Sequence, residues 1–114
     1  MNGRGPGRLL TPEGVRLRRL FDDYRGHPFP ARDADDARLQ EIALYATWLA
    51  SLVQAALSHG GHMTPSHRRL LAARRAEQDT SIWRVAAELG DPVRAYVALL
   101  LAMENALAEL PDVS

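Results

Sequence analysis

Three histidines fall close together, His59, His62 and His67, in the spacing H-x2-H-x4-H. Imidazoles gathered on one turn can hold zinc or nickel, with Glu41 or an acid from a loop as a further ligand. The competing reading is a polar turn of solvent-facing histidines. Gly60 and Gly61 lie between the first two and would hold coordination geometry poorly, and no neighbouring carboxylate is placed to orient the rings. The spacing alone assigns no metal.

The next six-residue stretch with chemical content is Thr64-Pro65-Ser66-His67-Arg68-Arg69. Cations in a first helical turn oppose the helix dipole and are stabilised when an anion satisfies both them and the free N–H groups. His67, Arg68 and Arg69 are therefore the candidate anion or small-ligand residues, with a phosphate or carboxylate as ligand. The anion can also be internal. Asp33, Asp35 and Asp36 are the acids considered for it, reaching the site by a fold-back or from a second subunit. A third candidate is VAAELGDPVRAY, residues 85 to 96, which has the turn of a helix-turn-helix. Its second helix continues as YVALLLAM, whereas a recognition helix presents polar side chains to base edges, and this argues against DNA.

No Ser-His-Asp series, Gly-rich phosphate loop or paired acids are present, and there is no Cys. No cofactor is implied and nothing specifies an enzyme. Glu41 and Glu104 are the acids embedded in strongly apolar stretches, and each is expected at a bundle edge rather than in a catalytic pocket.

These residues need helices to position them. Nearly half the chain is hydrophobic, led by Ala and Leu, with few β-branched residues, a balance that follows helix propensity. Residues 1–10 read as a disordered tail and 11–114 as one helical domain. Thr11-Pro12 is an N-cap followed by Pro, and opens a helix to about Tyr24 with Val15, Leu17, Leu20, Phe21 and Tyr24 as its stripe. Pro28 and Pro30 then impose extended backbone, with Phe29 anchoring the loop to the core.

The second helix, about 36–59, is the expected centre of the fold, because no Asp, Glu, Lys or Arg occurs from Ile42 to His67. On a helix, Gln40, Thr47, Ser51, Gln54 and Ser58 share one strip and apolar residues cover most of the rest. Thr64-Pro65 repeats the capping device for a third helix, and whether it continues through 79–81 is open. Ile82, Val85, Ala86 and Leu89 have helical spacing, Gly90 stops it, and Asp91-Pro92 starts the last helix, whose stripe runs from Val93 to Leu110. Short connections then imply an up-and-down four-helix bundle.

The formal charge is zero and the charges come in balancing blocks, basic over 1–19 and 68–75, acidic over 20–41 and 76–114. A dedicated nucleic-acid binder carries a basic excess that this chain lacks. The uncharged run from Ile42 to Leu57 contains Thr47, Ser51 and Gln54 and is shorter than the roughly 20 apolar residues that a bilayer span needs. The first ten residues have no apolar core of signal-peptide length, which points to a cytoplasmic protein.

Apolar residues off the main stripes either mark an interface or are absorbed by a four-helix core. Leu44, Trp48 and Leu52 share one face of the second helix, and Trp83 and Leu101 fall off the stripes of theirs. The function expected is that of a small non-catalytic helical interaction or regulatory protein, acting through a homodimer or a protein partner. The alternatives are an anion-binding or small-molecule-binding bundle, with an enzyme among its forms, and a helix-turn-helix-like DNA-binding regulator.

Overall fold

The computed structural model describes residues 10–29, 37–76 and 81–113. Among them are five helices: α1 (Pro12–Arg25), α2 (Ala37–Ser58), α3 (Pro65–Ala76), α4 (Ser81–Leu89) and α5 (Asp91–Ala108). The class is all-α as expected, and no helix among the described residues is long and apolar enough to cross a membrane. The acids Asp33, Asp35 and Asp36 and, but for Leu10, the expected tail lie outside the described residues.

The bundle differs from the expected four helices because the third stretch is two elements. Only Leu71 of α3 is buried, so PSHRRLLAARRA has too little apolar surface to act as a bundle helix. The core stripe belongs to α4, where Ile82 and Ala86 are buried and Val85 and Leu89 pack against the core. α1, α2, α4 and α5 pack on one another, while α3 is fastened to the side of α2 and α5.

α2 touches α1, α4 and α5, and α5 touches α1, α2 and α4. The centre expected of α2 is thus shared with α5. Ile42, Leu49 and Val53 of α2 meet Val97, Leu100, Met103 and Leu107 of α5 in a core where all seven are fully enclosed. The polar strip on α2, Gln40, Thr47, Ser51, Gln54 and Ser58, is exposed as its spacing predicts.

α1 starts as its sequence dictates: Thr11 is the N-cap and its hydroxyl accepts from Gly14 N at 3.0 Å. Val15, however, is exposed and Gly14 is buried in its place. The cause is a backbone contact. Thr11 Oγ1 donates to Gly61 O at 3.0 Å and Thr11 N donates to Gly60 O at 3.1 Å, which seats the start of α1 on the turn after α2. A Cβ on Gly14 would lie 2.9 Å from Gly61 Cα, and Gly61 has φ +84, so both positions require glycine. Phe29 does anchor its loop, its ring standing edge-on to Tyr96 with centroids 5.2 Å apart.

The third cap departs from expectation. Gly90, at φ +98 and with no side-chain hydrogen bond, caps α5, while Asp91 pairs with Arg94 inside the first turn. Beyond α5 the chain turns back at Pro111, and Met63 and Asp112 form a parallel bridge. Met63 N donates to Pro111 O at 2.9 Å and Val113 N donates to Met63 O at 3.0 Å. This places the C-terminal residues against the start of α3.

Candidate functional site

The histidine turn uses its ring nitrogens locally. His59 donates through Nδ1 to Ala55 O at 2.7 Å and His62 through Nδ1 to His59 O at 3.0 Å. His67 Nδ1 lies 2.9 Å from Thr64 Oγ1, which also caps α3 by accepting from His67 N at 3.2 Å. Among the described residues no group of three or more His, Cys, Asp or Glu is placed to hold a metal ion.

His67, Arg68 and Arg69 share the first turn of α3 but do not converge on one point. Arg68 reaches across to the end of α5, donating to Ala108 O at 3.2 Å and Leu110 O at 2.6 Å, and through Nε to Asp112 at 2.9 Å. A guanidinium is well suited to this, since it satisfies carbonyls that a helix end leaves unpaired and opposes the negative end of the dipole. Arg69 is exposed, and among the described residues its side chain reaches only Ser66 Oγ, at 3.5 Å. Among the described residues the acid that meets Arg68 is Asp112, which the bridge at Met63 delivers; the aspartates before α2 lie outside the described residues.

A polar knot missed in the sequence lies between α2, α3 and α5. Tyr45 donates its hydroxyl to Glu104 Oε1. Arg75 donates to Glu104 Oε2 at 3.1 Å and to Asn105 Oδ1 at 3.2 Å. Arg74 lies over the Tyr45 ring, 5.0 Å from its centroid. Burial, followed by the hydrogen bond to Glu104, pushes the Tyr45 hydroxyl far above the ordinary tyrosine range. Of the two acids singled out, Glu41 is exposed, while the Glu104 side chain is only 13 % exposed and is held by this pairing. Their sequence separation left nothing to link Tyr45 with Glu104.

The proposed interface residues divide. Leu44 is 72 % exposed, and Trp48, one turn further along α2, is half-buried and stacked on Tyr45 at 6.3 Å. Leu52 lies in the core, Leu101 packs half-buried against it, and Trp83 is exposed on α4. Leu70 is a further exposed apolar residue, 51 % accessible. It lies four residues before Arg74, on the side of α3 whose Arg74 leans over Tyr45. The adjacent Leu71 is the one that turns inward. Only the rotation of α3 decides between two neighbouring leucines, so composition could not separate them.

The helix pair around Gly90 exists, but α5 buries Val93, Tyr96, Val97, Leu100, Met103, Ala106 and Leu107 and is a core helix. Set beside known proteins, the chain matches no family model, no curated protein and no solved structure.

Proposed function

We propose that this chain is a small non-catalytic interaction protein that docks a protein partner, in its simplest form a second copy of itself, through the α2–α3 face carrying Leu44, Trp48 and Leu70. The observation that carries the reading is Leu44, 72 % exposed on a helix whose residues from Ile42 to Ser58 include no charge. Burying one such leucine contributes about 1.5–3 kcal/mol. The α2 side of this face is uncharged from Ile42 to Ser58, with Arg74 of α3 at its edge over Tyr45, and an uncharged apolar strip suits a two-fold pairing of like with like.

The anion-binding alternative at His67, Arg68 and Arg69 has less support, because Arg68 already has three internal acceptors. The DNA-binding alternative has less still, because α5 turns its long apolar side inward. A direct test uses Trp83→Phe, which leaves Trp48 as the one tryptophan of the two in the chain. Diluting this variant from tens of micromolar is expected to shift Trp48 emission to the red as a dimer separates. Emission independent of concentration, together with monomeric mass, would remove self-association from the proposal.

A further inference from the structure

Trp83, Arg84 and Ala87 of α4 and Arg94 of α5 line a groove of about 400 Å³, which shares no residue with the α2–α3 face. We propose that this groove binds a nucleoside phosphate, with the base stacked on the Trp83 indole and the phosphate held by Arg84 and Arg94. Trp83 is the one aromatic residue among the exposed large hydrophobics of the described residues, 47 % accessible. Ala87, one turn further along α4, is too small to cover the ring.

The charges beside the ring fit an anion. Arg84 has no acidic partner among the described residues, Glu88 of the same helix being paired with Arg38 instead. Arg94 pairs with Asp91 within its own helix, with side chains 52 % and 85 % exposed, so this contact is open to solvent and readily exchanged. Among the described residues, two guanidiniums against one carboxylate leave the groove positive in a chain whose formal net charge is zero. A guanidinium remains charged at any working pH and matches phosphate oxygens in pairs, and an indole face stacks any base. The groove volume falls within the range of small-molecule sites.

Each half of the ligand is expected to bind weakly and the two together usefully, which gives a test with separable arms. The two indole N–H signals of the 114-residue chain are assigned by Trp48→Phe and Trp83→Phe, and titrated with AMP, adenosine and inorganic phosphate at low salt. AMP is expected to move the Trp83 signal saturably, with a Kd of about 0.1–1 mM. Adenosine and phosphate alone are expected to bind at least about tenfold more weakly. Arg84→Gln should weaken AMP to the level of adenosine while the rest of the spectrum stays in place. A Trp83 signal unmoved by AMP at roughly 10 mM, equal binding of AMP and adenosine, or unchanged AMP affinity in Arg84→Gln would each overturn the proposal.

Discussion

Replacing Arg68 with alanine removes the side chain that ties α3 to the end of α5, and its cost follows from the geometry. Two hydrogen bonds to the carbonyls of Ala108 and Leu110 contribute roughly 1 kcal/mol each. The pair with Asp112, whose side chain is 74 % exposed, adds only about 0.2–1 kcal/mol because solvent screens it. Arg68→Ala is therefore expected to lose about 2–3 kcal/mol, and Asp112→Ala less than about 1 kcal/mol. For a chain of 114 residues the first loss corresponds to a fall of roughly 6–15 °C in Tm. Arg69→Ala, touching only Ser66 among the described residues, should stay within about 0.5 kcal/mol of the parent. Urea unfolding followed by circular dichroism measures all three. Equal losses for Arg68→Ala and Asp112→Ala would show that the carbonyl contacts contribute nothing. Stabilisation of the parent by phosphate that vanishes in Arg68→Ala would show an external anion at this arginine, against the clamp described.

At high pH the raised tyrosines set the trend. Tyr45 and Tyr96 are both pushed up by burial, then by hydrogen bonds to Glu104 and Tyr24. The unfolded chain loses these protons near pH 10 while the fold keeps them, so stability is full below that pH and falls above it. The slope tends to about 1.4 kcal/mol per pH unit for each tyrosine. Tyr45→Phe should halve the slope between pH 10 and 11, measured by urea midpoints, and an unchanged slope would exclude Tyr45 as its source. A pair of glycine substitutions separates strain from crowding. Gly90→Ala meets no atom within 4 Å and bears only the backbone cost of φ +98 with ψ −176, about 1–3 kcal/mol. Gly61→Ala adds a Cβ 2.5 Å from Thr11 Oγ1 and should lose clearly more, in the same unfolding assay. Similar losses would mean that the α1 start yields freely.

What could be read in advance was local. Thr11-Pro12, Thr64-Pro65 and the spacing of Ile82, Val85, Ala86 and Leu89 located helix starts and a core stripe, because caps and periodicity act within a few residues. The four-helix count failed where the pattern ran thin, since α3 carries two leucines in an arginine-rich stretch and no periodicity fixes which one faces in. Val15 falls on the apolar stripe of α1, yet backbone contact at Gly61 selects Gly14 for the core, and no hydrophobic pattern records such an approach. Partners at long range were the least legible. Arg68 with Asp112 and Tyr45 with Glu104 depend on the chain folding back past Pro111 and on the packing of α2 against α5, neither of which has a local signature.

Light scattering across a concentration series tests the proposal that the α2–α3 face pairs two copies of this chain. The parent is expected to approach dimeric mass at tens of micromolar. Leu44→Glu places a charge on each side of a two-fold contact and removes two buried leucines, worth about 3 kcal/mol or more together, so its dissociation constant should rise more than about a hundredfold. A strictly monomeric parent at these concentrations, or a dimer unaffected by Leu44→Glu, would contradict the claim.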